Sequence, residues 1–190
     1  RYSSGLAVLF KTNSTTISVR CEYGENALPV SSTMITIKGF DLYIKDGKEW
    51  KYAAAGVNKE EKENANLVLI RNMDGKEKEC MLYLPLYSEV NSLQIGVQEG
   101  ACISALESPF RHRIGIFGSS FTHGASATRP GMSYPMQLMR WTGLQFLNLG
   151  CSGEGKLQPH FAKVLCEADV DALVFDMFSD TMGMCMASMT

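Results

Sequence analysis

The hydrophobic periodicity of this chain changes once, near Glu107-Ser-Pro109, and that change limits the fold more than any single motif. Before it, the apolar residues come in short runs with β-branched members and partial alternation: Leu6-Ala-Val-Leu-Phe10, Thr16-Ile-Ser-Val-Arg-Cys21 and Met34-Ile-Thr-Ile-Lys38 all read as strands. Phe40-Asp-Leu-Tyr-Ile44 and Glu49-Trp-Lys-Tyr-Ala53 flank Asp46-Gly47, and Asp-Gly suits a tight primed turn, so this is a hairpin. Leu67-Val-Leu-Ile70 and Cys80-Met-Leu-Tyr-Leu84 read as a second pair around Asp74-Gly75, and Lys59-Glu-Glu-Lys-Glu-Asn64 as a solvated loop. Strands at this spacing, with turn signals between them, predict an all-β sandwich over residues 1–108.

From residue 109 to residue 190 the order becomes β-α-β-α-β. Arg113-Ile-Gly-Ile-Phe117, Gln145-Phe-Leu-Asn-Leu149 and Ala172-Leu-Val-Phe175 are the strands. Tyr134–Trp141 and Pro159–Cys166 are the helices, the second with Pro at its start where a missing N–H costs little. Alternating strands and helices predict a parallel sheet with ligands gathered at the strand C-terminal ends. About 80 residues is short for a closed three-layer domain, so this half is expected to be incomplete.

Composition removes several classes of function. A net charge of −2 argues against a dedicated nucleic-acid binder, which would carry a basic stripe. No apolar run approaches the ~18–20 residues that span a bilayer. No signal peptide stands at the start; the chain opens on Arg1-Tyr-Ser-Ser4 without Met, so its beginning is expected to have been removed. Cys21, Cys80, Cys102, Cys151, Cys166 and Cys185 contain no Cys-x-x-Cys pair, against a zinc or thioredoxin-like site. They read as free thiols, although six cysteines could pair in 15 ways.

Each strand of the second half ends in a polar or Gly-rich turn. After the first comes Gly118-Ser119-Ser120-Phe121-Thr122-His123-Gly124, where a Ser at the strand tip can expose its hydroxyl and aim backbone N–H groups at an oxyanion. Thr122 in the final Gly position means this is not the Gly-x-Ser-x-Gly elbow. After the second come Asn148, Gly150, Gly153, Gly155 and Lys156. Gly150, four residues, Gly155 and Lys156 make most of a phosphate-binding P-loop, but Leu157 stands where a magnesium-binding hydroxyl is needed. After the third comes Asp176-Met-Phe-Ser-Asp180, in which Asp176 reads as a solvated cap or turn residue.

Taken together, these turns resemble those of the SGNH, or GDSL-like, hydrolases. Gly118-Ser119-Ser120-Phe121-Thr122 fits that family's Gly-Asp-Ser-x-Thr block with Ser119 in place of Asp, and Asn148 with Gly153 fits its second block. The resemblance extends to Gly39-Phe-Asp41-Leu-Tyr43, the Gly-x-Asp-Leu-Tyr signature of the β-sandwich that precedes such hydrolases in some secreted bacterial enzymes. It implies a jelly-roll-like sandwich followed by a three-layer, flavodoxin-like α/β domain. Ser120 would be the nucleophile, with the N–H groups of Ser120 and Gly153 forming the oxyanion hole.

The resemblance also implies an Asn after the third strand, a place that falls on Asp180, and an Asp-x-x-His near the C-terminus. A carboxylate at Asp180 would repel an oxyanion. No Asp-x-x-His occurs, and the histidines are His112, His123 and His160. His112 and His160 read as surface residues, while His123 could line a pocket, three residues from Ser120. The tail carries five methionines, Met177, Met182, Met184, Met186 and Met189. Within it, Ser179-Asp-Thr-Met-Gly183-Met-Cys-Met-Ala187 resembles the stretch that follows the family's catalytic His. The third strand is therefore expected to run directly into that tail, with the intervening strands and the Asp and His missing, and the working enzyme to be longer.

The implied function is hydrolysis of a carboxylic ester, plausibly an acetyl group on carbohydrate, in a periplasmic or secreted bacterial protein. The expected partner is a small-molecule or carbohydrate ester, with no nucleic acid and no membrane span; the oligomeric state stays open. The reaction needs no metal or organic cofactor. The alternatives are a non-catalytic carbohydrate-binding protein with a degenerate hydrolase domain, using Trp50, Tyr52 or Tyr43, and, behind it, a P-loop-type nucleotide binder.

Overall fold

The structure is a computed structural model that describes residues 2–58, 66–153 and 158–176. It divides into two compact units: residues 1–109 with 126–131, and residues 110–125 with 132–190.

The first unit has two antiparallel sheets. One runs β4 (Glu49–Gly56), β3 (Phe40–Asp46), β6 (Lys78–Tyr83), β1 (Ala7–Thr12), β8 (Ile103–Ala105). The other runs β5 (Leu67–Ile70), β2 (Ile17–Asn26), β7 (Ser88–Val97). Along β2, Ile17, Val19 and Cys21 are buried while Arg20 and Glu22 are exposed, the period-2 pattern of a strand with one face inward. Those three residues join Phe10, Phe40, Leu42, Cys80 and Leu82 of the other sheet in one apolar core, which makes this unit a sandwich.

Two local expectations are corrected. Met34–Lys38 is not a strand but a short helix, α1, with Thr33 O accepting from Thr36 N and Ile37 N. It buries the adjacent residues Thr36 and Ile37, which a strand would turn to opposite faces. Here tertiary packing overrides β-branched propensity. Likewise β5 and β6 are not a hairpin: β5 pairs with β2 and β6 with β1 and β3, so the Asp74-Gly75 loop crosses between sheets. The β3–β4 hairpin does form. Gly47, at φ +60°, takes the first place of the loop Gly47–Lys48, as a type II′ turn requires.

The Gly39–Tyr43 signature is accounted for within this unit. A Cβ on Gly39 would press on the carbonyl oxygen of Ile35 and lie 2.9 Å from that of Gly56, so only glycine lets the chain pass from α1 into β3. Leu42 is core. Asp41 is fully buried, and both its oxygens are engaged: Arg129 Nε donates to Oδ1 at 3.2 Å and the Gly131 N–H to Oδ2 at 2.9 Å. Tyr43 is buried rather than available as an exposed sugar-stacking ring; it packs edge-on against Tyr83 and accepts from Arg129 Nη2 at 3.3 Å. Cations also lie over the other two candidate aromatics, Lys45 over Trp50 and Arg129 over Tyr52.

The second unit has a parallel sheet in the order β10 (Leu144–Gly150), β9 (Arg111–Gly118), β11 (Ala172–Asp176). After β9 come the one-turn helix α2 (Ser120–His123), a 3₁₀ turn (Pro130–Met132) and α3 (Tyr134–Thr142); α4 (Pro159–Cys166) follows β10. Gly143, at φ +73°, closes α3 in the left-handed conformation. Leu165 of α4 packs on Phe117, with Phe161, Leu149 and Leu173 around them. The chain leaves central β9 for β10 on one side and later reaches β11 on the other. The strand order therefore reverses at the C-terminal end of β9, the crevice position where open α/β sheets bind ligands. Among the described residues, no helix is long and apolar enough to cross a membrane.

Candidate active site

β9 ends in Gly118, and Ser119 caps the turn that follows. Ser119 is buried, and its Oγ accepts from the Phe121 N–H at 3.3 Å, satisfying one of the donors that open a helix. Ser120 is then the first residue of α2, at the crevice position, and its hydroxyl has no hydrogen-bond partner among the described residues. Gly124, at φ +113°, ends the turn.

One helical turn cannot hold its own geometry; here the ends of all three strands hold it. From β10, Asn148 Nδ2 donates to Thr122 O at 2.8 Å while its Oδ1 accepts from the Gly150 N–H at 3.0 Å. The Gly150 carbonyl lies 3.1 Å from His123 Nδ1. A Cβ on Gly150 would lie 2.6 Å from His123 Cα, so this glycine is explained by the close passage of α2. From β11, Asp176 Oδ2 accepts from Thr122 Oγ1 at 2.8 Å and from Tyr134 OH at 2.6 Å. Burial, then the bond to Asp176, pushes the Tyr134 hydroxyl up to about 12, so it stays a donor.

Asp176 is thus no solvated cap: it is half-buried and shared by two hydroxyls. Its partners Tyr134 and Thr122 stand 42 and 54 residues away in sequence, too far for any local pattern to name them. His123 is buried, with Nδ1 turned to the Gly150 carbonyl. His112 is exposed, 3.7 Å from Asp171, and His160 lies exposed against Phe161. Gly153, at φ +77°, follows the end of β10, at the same C-terminal end of the sheet as Ser120. Asp180, Gly155, Lys156, Leu157, the Lys59–Asn64 run and the methionine-rich tail lie outside the described residues, apart from Asn58 and Asn66 flanking that run.

An apolar groove of about 340 Å³ lies between α4 and β11, lined by Phe117, Phe161, Leu165 and Phe175 among others; none of the candidate residues lines it. The described cysteines are all free, Cys21 and Cys80 within the sandwich core.

Two family models match the chain. Residues 1–103 match the family described as the N-terminus of Esterase_SGNH_hydro-type, and residues 111–188 match the GDSL-like Lipase/Acylhydrolase family. Among solved structures, the chain is similar to a protein from Bacteroides ovatus ATCC 8483 described as a GDSL-like lipase. Identity is 44% and TM-score 0.87, over 93% of this chain and 52% of that one. Salicylyl-acyltransferase SsfX3 from a tetracycline biosynthetic pathway matches at 21% identity and TM-score 0.70, over 95% of this chain and 49% of that one. A family two carbohydrate esterase from Clostridium thermocellum, in complex with cellohexaose, matches at 17% and 0.56, over 80% and 46%. The last two likenesses are of fold alone. The chain spans about half the length of these structures. No curated protein matches it.

Proposed function

The chain belongs to the GDSL-like hydrolases whose N-terminal domain carries the Gly-x-Asp-Leu-Tyr signature, and from that premise we propose that it cleaves carboxylic esters through Ser120. The observation that carries this reading is the place of Ser120: the first residue of a turn held by three strand ends, where the strand order reverses. Ser120 Oγ attacks the acyl carbon as its proton passes to an imidazole. The N–H groups of Ser120 and Gly153 face the oxyanion that develops. The tetrahedral intermediate collapses, the imidazolium protonates the departing alcohol, and water then attacks the acyl-serine by the same route in reverse.

His123 is not that imidazole in this reading: it is buried, its Nδ1 lies 3.1 Å from the Gly150 carbonyl, and no hydrogen bond joins its ring to the Ser120 hydroxyl. The base is a histidine of an Asp-x-x-His segment that these 190 residues do not contain. Asp180, at the place of the family's Asn, would donate to the oxyanion only if protonated. The substrate class we favour is an acetyl ester, on carbohydrate before short-chain lipid, and the location periplasmic or secreted, which cell fractionation checks.

The test is hydrolysis of p-nitrophenyl acetate by the full-length protein, with a fluorophosphonate probe mapped by peptide mass spectrometry. Ser120→Ala should abolish both turnover and labelling. A wild-type protein that neither turns over the ester nor takes the probe ends the esterase reading.

A further inference from the structure

The three groups that meet at the end of β11 have no part in the mechanism just described. Asp176 pairs in register with Gly118, so its side chain stands at the end of the sheet beside the strand that delivers Ser120. One of its oxygens accepts from two hydroxyls, and those two lie 3.2 Å apart, closing a triangle of Asp176, Thr122 and Tyr134. Thr122 is fully buried, two residues beyond Ser120 in the same turn. Its carbonyl is held separately by Asn148. Gly118 makes room for this: a Cβ there would press on Thr122 Oγ1 and come within 2.7 Å of the Asp176 carbonyl oxygen.

A one-turn helix with both its side chain and its carbonyl tied to neighbouring strands has its direction fixed from outside. Apolar packing alone would hold Thr122 in place without fixing the rotation of the turn. Its hydroxyl bond to Asp176 and its carbonyl bond from Asn148 do fix it, because they are directional, and Tyr134 holds the carboxylate in place. We propose that Asp176 is a positioning residue: by binding Thr122, with Tyr134 as its second donor, it sets the orientation of α2 and so aims Ser120 at the acyl carbon. This rests on the reading of Ser120 as the nucleophile.

The experiment compares full-length wild type with Asp176→Ala, Thr122→Val, Thr122→Ser and Tyr134→Phe. It reads the second-order rate of fluorophosphonate labelling at Ser120, kcat and KM on p-nitrophenyl acetate, and cooperative unfolding in urea. Asp176→Ala and Thr122→Val should slow labelling and lower kcat at least tenfold, with KM within about twofold, since a misplacement of about 1 Å costs on the order of 100-fold. Thr122→Ser, which restores the hydroxyl, should recover most of the loss, and Tyr134→Phe should fall between. Where Asp176→Ala does not fold, the Thr122 pair and Tyr134→Phe decide. Variants that lose stability but label and turn over at the wild-type rate overturn the proposal. A wild type that is not labelled at Ser120 overturns the esterase reading instead.

Discussion

Asp41 and Arg129 stand 88 residues apart in sequence and form an ion pair whose carboxylate is fully buried. The pair ties the returning segment Ser126–Gly131 into the first unit, where Gly131 fits only because a Cβ would lie 2.8 Å from Asp41, Tyr43 and Tyr83. Removing one member of such a pair leaves the other charge uncompensated. Asp41→Ala should therefore destabilise the protein by about 3 kcal/mol. Asp41→Asn, which can still accept from Gly131, should cost about half as much. Urea unfolding monitored by fluorescence measures both; equal losses would mean that the charge alone matters there and that the bond to Gly131 contributes nothing.

Gly150 makes a sharper test of the site than any side chain does. A Cβ at this position meets the backbone of Thr122 and His123, which cannot move aside without carrying α2 along. Gly150→Ala should lower kcat/KM on p-nitrophenyl acetate at least tenfold. Its cost in stability should be only about 1–3 kcal/mol. Gly143→Ala is the control: open space surrounds that Cβ, and only its left-handed φ of +73° is strained. It should cost about 1 kcal/mol with kcat unchanged.

Features with a local cause are legible in the sequence, and features with a distant cause are not. Period-2 alternation on β2, the Asp46-Gly47 turn and the Ser119-Ser120 strand end are local patterns, and each is legible because its cause lies within a few residues. The partnership of Asp41 with Arg129 is not, because nothing near either residue names the other. Asp176 has the look of a loop acid for the same reason: Thr122 and Tyr134 reach it only once the sheet has formed. The helix α1 hides differently, since Ile35, Thr36 and Ile37 favour a strand locally and packing decides otherwise.

Alkaline pH should weaken the fold before it touches the chemistry. Burial pushes the Cys21 thiol from 9.0 up to about 11 and the Cys80 thiol from 9.0 up to about 12. The folded state then keeps protons that the unfolded state releases, so their stabilisation is complete below pH 9 and is lost as pH rises towards 11 and 12. Tyr134 adds to the same slope between 10 and about 12. Urea midpoints should fall steadily above pH 9, and Cys80→Ala, whatever its stability at neutral pH, should flatten that fall. At pH 8 a thiol reagent should modify the exposed Cys102 and Cys166 and spare Cys21 and Cys80. Midpoints that stay level to pH 11 would contradict the burial argument.

Ser119 stands where the family's block carries Asp, and the structure shows what the position requires. Its oxygen accepts from the Phe121 N–H at the mouth of α2, a task that Ser and Asp perform about equally well. Ser119→Ala removes the acceptor from a buried site and should cost about 1 kcal/mol. Because the uncapped turn also carries Ser120, fluorophosphonate labelling should slow as well. Ser119→Asp keeps the acceptor but places a carboxylate where the chain is almost closed to water, so its stability should fall below that of wild type. Its labelling rate should nevertheless stay above that of Ser119→Ala, since the turn keeps its cap. The reverse order of rates would mean that Ser119 serves α2 by its size and not by its oxygen.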